Sequence, residues 1–123
     1  MRGRILVADD AAFMRAWLRE ILEPEGLEIA GEEEDAEGAV AAFARLWPDL
    51  VVLDLTLRSR RGTDALREIR RLDPKARIVM RSARGQETLV MEALHRGALD
   101  YVVKPLHPAS VLSTLRSALE KGD

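Results

Sequence analysis

Five short aliphatic runs, at 5–8, 27–30, 50–53, 78–80 and 101–103, alternate along this chain with five stretches of helical period. Runs this short, rich in β-branched residues and bounded by turn formers, read as strands. The stretches between them carry apolar stripes at a spacing of about 3.6 residues. Phe13, Met14, Trp17, Leu18, Ile21 and Leu22 form the first, closed by Pro24 and Gly26. Ala36, Ala39, Val40, Phe43, Ala44 and Trp47 form the second, stopped by Pro48. Ala65, Leu66, Ile69 and Leu72 form the third, and Leu89, Val90, Ala93 and Leu94 the fourth, which ends at Gly97. Val111, Leu112, Leu115, Ala118 and Leu119 form the fifth, with Pro108 placed for its first turn.

A strand–helix unit repeated five times implies a parallel sheet covered on both faces, an α/β doubly wound fold. The run 50–53 is the most apolar and is expected mid-sheet. The run 27–31 carries Glu28 and is expected to be a shorter edge strand. In folds of this kind ligands bind beyond the carboxyl ends of the strands. Those ends carry Asp9 and Asp10 after the first run, Asp54 after the third, Ser82 after the fourth and Lys104 after the fifth. Three carboxylates gathered in one crevice repel one another, by about 4 kcal/mol per ionised pair at 4 Å and an effective dielectric near 20. Either some are protonated or a cation sits among them. A hard divalent ion such as Mg²⁺ or Mn²⁺ suits oxygen ligands of this type. Singly, each residue has an ordinary explanation: Asp10 as a helix cap, Ser82 as a turn residue, Lys104 as surface charge. Their joint placement at one sheet edge is what points to a site.

Composition narrows the function classes. The 123 residues are 47% apolar and 33% charged with a net charge of −2, which excludes disorder and repeat fibres. With no cysteine there is neither a disulfide nor a thiolate site. The balance of charge argues against direct binding of nucleic-acid backbone. No apolar run approaches the ~20 residues needed to cross a bilayer, and the N-terminus lacks a signal-peptide core. A single domain over 1–123 in the cytoplasm, with no membrane contact, is the expectation.

The acidic pair Asp9-Asp10, Asp54 followed eight residues later by Gly62, Ser82-Ala83, and the string GALDYVVKP at 97–105 stand in a familiar order. Over essentially its full length the chain resembles the response-regulator receiver domain of two-component signalling. The resemblance implies strand order 2-1-3-4-5 and a phosphoryl group accepted on Asp54 from a sensor histidine kinase or phosphotransfer protein. It implies Mg²⁺ or Mn²⁺ held by Asp10, Asp54 and the Thr56 carbonyl, with Asp9 acting largely through water. Ser82 and Lys104 would bind the phosphoryl oxygens and Tyr101 would be the aromatic switch residue. Output would pass to an unnamed protein or domain through the surface of the fourth helix, fifth strand and fifth helix. Catalysis would be limited to the domain's own phosphorylation and dephosphorylation, modulated by Thr56 and Arg84, which flank the approach of water. In the family the Lys104-Pro105 peptide is cis.

Departures from the family pattern also stand out. Arg58 takes the place of a common proline, and the loop that follows, RSRRG, is basic beside an acidic site. One reading is a solvated face; the other pairs Arg58, Arg60 or Arg61 with the acidic run 32–35. Two other functions share parts of the pattern. A haloacid-dehalogenase phosphatase needs an aspartate two residues after its nucleophile, where this chain has Thr56. A flavodoxin-like carrier needs a phosphate-cradling loop where Asp9 and Asp10 would repel phosphate. A degenerate receiver serving as a docking module is opposed by the intact set Asp10, Asp54, Ser82 and Lys104.

Overall fold

The computed structural model describes residues 1–57 and 60–121. Its elements run β1 (Gly3–Ala8), α1 (Ala12–Leu22), a 3-10 turn (Glu23–Glu25), β2 (Leu27–Glu33), α2 (Ala36–Leu46), β3 (Leu50–Asp54), α3 (Gly62–Leu72), β4 (Ile78–Ser82), α4 (Glu87–His95), β5 (Asp100–Val103) and α5 (Pro108–Glu120). The five strands pair in parallel in the order β2-β1-β3-β4-β5. This is the expected doubly wound architecture, with β3 at the centre and every one of its residues buried.

Strand alternation divides the core into two layers. Leu6, Ala8, Val51, Leu53, Ile78 and Met80 face one side, where they meet Ala39, Phe43, Leu66, Ile69 and Val90 from α2, α3 and α4. Ile5, Val7, Leu50, Val52, Val79 and Val102 face the other, against Met14, Leu18, Val111 and Leu115 from α1 and α5. Pro108 opens α5, where its missing N–H leaves no carbonyl unpaired. Gly97, at φ 107°, makes the left-handed turn that leads into β5.

Several local expectations give way to packing. β2 is an edge strand, yet it is the longest of the five at seven residues, because Glu32 and Glu33 continue its ladder beside Val7 and Ala8. A register shift between Ile5 and Leu6 lets Gly31 follow Ile29 in that pairing. Phe13 is 70% exposed and Trp47 54% exposed, so neither belongs to the core. Phe13 lies in the first turn of α1, outside the Met14–Leu18–Leu22 row that reaches the sheet. Trp47 caps α2 in the left-handed conformation, φ 45°, and rests its ring on Phe43. Ala44 and Leu72 are likewise exposed.

Candidate phosphoacceptor and metal site

Asp54 ends β3 and Ser82 ends β4, while Asp9 and Asp10 follow β1 directly. The adjacent strands bring these ends together at one edge of the sheet, as the alternation pattern requires. Asp9, Asp10 and Asp54 each offer a carboxylate oxygen, and these atoms all lie within 4.8 Å of one another. A divalent ion with ligands at about 2 Å can bridge oxygens at that spacing, so the donor set fits a hard cation.

The carboxylates are held by short local contacts. Asp9 is buried, and its Oδ1 accepts the Ala11 N–H at 2.9 Å, ahead of the first turn of α1. Asp10 does not cap that helix; Ala11 holds the capping position. Asp54 is 3% exposed, and its Oδ1 accepts the Thr56 N–H at 3.1 Å. Burial pushes the Asp54 carboxyl up to about 6, against the opposing pull of the Arg81 guanidinium and the Thr56 N–H. The neighbouring charges of Asp9 and Asp10 raise it further.

Arg81 is the residue that sequence reasoning passed over. It is the penultimate residue of β4 and is 5% exposed. Its Nε donates to Asp9 Oδ2 and its Nη2 donates to Asp54 Oδ2 at 2.7 Å. The signal was present in strand parity. Val79 faces α1 and α5, so Arg81, two residues on, shares that side of the sheet. Asp54 lies two residues after Val52 on the same side, and Asp54 and Arg81 are direct partners in the β3–β4 register. Arg81 thus sets a cation from within the chain against two of the three clustered carboxylates.

Lys104 follows β5 and is half-buried. Its N–H donates to the Ser82 carbonyl at 3.0 Å, which ties it to the end of β4. Among the described residues its ammonium forms no ion pair, so Arg81 rather than Lys104 is the base set against Asp54 here. The Lys104-Pro105 peptide is cis.

The Ser82 hydroxyl is buried and has no hydrogen-bond partner among the described residues. It borders a cavity of about 350 Å³ lined also by Arg84, Val90, Met91, Tyr101 and Val103. Tyr101 is 40% exposed. Arg84 and Thr56 are both exposed, in the segments that follow β4 and β3.

Among the described residues of the basic loop, Arg60 pairs outside the run 32–35, with Glu68 at 2.6 Å and with Glu37 at 3.0 Å. Glu32 is taken by α1, through Arg19 at 2.5 Å and Arg15 at 3.2 Å. The Arg19 hydrogen bond holds its carboxyl below the usual glutamate range. Asp35 is spent as the cap of α2, accepting the Gly38 N–H at 2.7 Å. Arg61 forms no ion pair among the described residues, and Arg58 lies outside them.

Comparison with known proteins agrees with this geometry. The family model of the response regulator receiver domain matches residues 5–116. The chain is 44% identical over 115 residues to chemotaxis protein CheY of Thermotoga maritima, covering 94% of this chain and 96% of that protein. It is 42% identical over 119 residues to CheY of Bacillus subtilis, covering 97% and 99%. The crystal structure of NtrX from Brucella abortus superposes with a TM-score of 0.91 at 34% identity. That match covers 98% of this chain and 28% of NtrX. A five-stranded sheet in this order, an acidic pocket at its carboxyl edge and a family match spanning nearly every element make the chain a member of the response regulator receiver family of two-component signalling.

Proposed function

We propose that Asp54 is the phosphoacceptor of this receiver and that a sensor histidine kinase or phosphotransfer protein is the donor. The observation that carries this reading is the convergence of Asp9, Asp10 and Asp54 within 4.8 Å beside a buried hydroxyl, on Ser82, that has no partner. A carboxylate is a competent nucleophile toward phosphorus. One Asp54 oxygen bonds to phosphorus as the bond from phosphorus to the donor's imidazole nitrogen breaks; the donor's other ring nitrogen carries a proton, so the leaving group departs as neutral imidazole and Asp54 becomes an aspartyl phosphate. Such a transition state is loose, with charge spread over the equatorial oxygens, so catalysis is mainly positioning and electrostatics.

Asp9, Asp10, Asp54 and the Thr56 carbonyl are the residues that would hold Mg²⁺ or Mn²⁺, Asp9 largely through water. When bound, the ion neutralises charge on the transferred oxygens. Ser82 donates its hydroxyl to a phosphoryl oxygen, and Lys104 supplies a cation to another. Satisfying the Ser82 hydroxyl in this way draws it off the cavity it now borders. Tyr101 then turns inward from its half-exposed position, and the surface of α4, β5 and α5 changes for a downstream protein or domain. Chemistry is confined to the domain's own phosphoryl gain and loss. The reading treats 1–123 as one receiver domain working in the cytoplasm; no helix among the described residues is long and apolar enough to cross a membrane.

Acetyl phosphate with Mg²⁺ tests the assignment. Intact-mass measurement should show one added phosphoryl group on the native chain and none on Asp54→Asn. Labelling retained by that variant would place the acceptor elsewhere.

A further inference from the structure

Arg81 engages one oxygen on each of two carboxylates of the acidic pocket. Its Nε and Nη2 donate to the Oδ2 atoms of Asp9 and Asp54, while the Oδ1 atoms of the same residues already accept the N–H groups of Ala11 and Thr56. Every oxygen of both carboxylates therefore has a donor. A guanidinium and a divalent cation compete for the same lone pairs, and their charges repel at the distance that separates two ligands of one ion. Arg81 is also held in place: it is 5% exposed, lies in the β4 ladder and is the register partner of Asp54. Burial of this kind makes the pair hard to break without compensation, since either charge left alone would be desolvated and unpaired.

We propose that Arg81 is an internal counter-cation that holds Asp9 and Asp54 in a metal-free resting arrangement and has to release both carboxylates before a divalent ion is held there. The proposal rests on the reading of the acidic pocket as a metal site. It assigns Arg81 a positioning role: the residue sets how much ion is required before the pocket is ready, and so couples phosphoryl transfer at Asp54 to the local concentration of divalent cation. Asp10, which Arg81 does not touch, is the carboxylate left open for the ion's first contact. Lys104, with no ion pair among the described residues, stays free for an incoming anion.

Calorimetric titration of the full chain with MgCl₂, repeated with MnCl₂, measures the competition directly. Arg81→Leu keeps an apolar stem in the strand and removes the guanidinium; it should bind the ion about tenfold more tightly or better, as expected when a buried hydrogen-bonded charge pair no longer has to be exchanged. Lys104→Met removes one positive charge nearby without removing a contact to Asp9 or Asp54, and should gain less than about threefold. In the native chain, the Arg81 Nε–H resonance should be slow to exchange without metal and should shift and lose that protection at saturating Mg²⁺. This last measurement needs no variant and stands even if Arg81→Leu folds poorly. Equal affinities for native chain and Arg81→Leu, equal gains in Arg81→Leu and Lys104→Met, or an Nε–H resonance unmoved by saturating Mg²⁺ would each overturn the proposal. No binding by any of the three proteins would overturn it together with the metal reading, whereas the acetyl phosphate assignment of Asp54 is scored separately.

Discussion

Gly62 opens α3 against the carbonyl of Asp54 so closely that a β-carbon at Gly62 would lie 2.0 Å from that oxygen. The Gly62 N–H donates to the Leu55 carbonyl at 2.7 Å, which fixes the approach. Its α-carbon is thus part of the support behind Asp54. Gly62→Ala should destabilise the fold by about 2 kcal/mol, the range for forcing one extra carbon into a packed site. A urea midpoint would register the loss, and an unchanged midpoint would mean that the end of β3 yields more easily than this packing implies.

Ser82→Ala separates stability from signalling. A buried hydroxyl with no partner has lost its water and gained nothing in return, so deleting it should leave stability unchanged or raise it by up to ~1 kcal/mol. The same variant should fail to turn Tyr101 inward when Asp54 is phosphorylated. Tyr101 is the sole tyrosine, so ring-labelled tyrosine gives a single NMR reporter. A ring signal that still moves on phosphorylation of Ser82→Ala would remove the hydroxyl from the coupling.

Asp54 should make the metal-free protein less stable as pH rises. Burial pushes its carboxyl up to about 6 in the fold, against an ordinary value of 3.8. Between those values the folded chain keeps a proton that the unfolded chain has released. Stability therefore falls as pH climbs through the window and levels off above it, by up to ~3 kcal/mol. Asp54→Asn has no such titration. In buffer free of divalent ions, the unfolding free energy of the variant minus that of the native chain should grow from pH 4 to pH 7. A difference that stays flat would show that Arg81 holds Asp54 ionised throughout.

Much of this molecule is legible in local pattern, for a physical reason. Short β-branched runs and 3.6-residue stripes each select one kind of element, and alternation then leaves one architecture open. The sheet edge followed, because parallel strands all end on the same side. What stayed hidden depends on parity and reach. Arg81 lies in IVMRS, where a charge at the end of a buried strand would have stood out had Val79 and Arg81 been assigned to one face with Val52 and Asp54. Glu32 is held by Arg15 and Arg19, which sit on a helix whose position beside β2 only the packing reveals, while Arg58 lies outside the described residues. The exposure of Phe13 is of the same kind: it belongs to the stripe by spacing, but it lies outside the Met14–Leu18–Leu22 row that meets the sheet.

The aspartyl phosphate should be long-lived. Hydrolysis requires water to approach phosphorus in line with the Asp54 oxygen, and on the proposed reading of the site Thr56 and Arg84 would flank that approach. Thr56 lies in the loop after β3, with its N–H on Asp54 Oδ1, and its hydroxyl cannot orient water as a carboxamide or carboxylate can. Arg84 is exposed beside the Ser82 cavity and has no ion pair among the described residues, so its guanidinium is free to close on a phosphoryl oxygen. Attraction to the bound phosphate stabilises the reactant, and it raises the barrier to hydrolysis unless the transition state gains as much. Loss of label should therefore take minutes or longer. Arg84→Ala removes the cover and Thr56→Asn supplies a carboxamide; each should shorten the lifetime several-fold, and the pair most of all, since they act on different atoms of the same encounter. Following the decay of the phosphorylated species by mass after removal of acetyl phosphate gives all four lifetimes. A native lifetime of seconds that neither substitution alters would place Arg84 in solvent and leave the rate to the pocket alone.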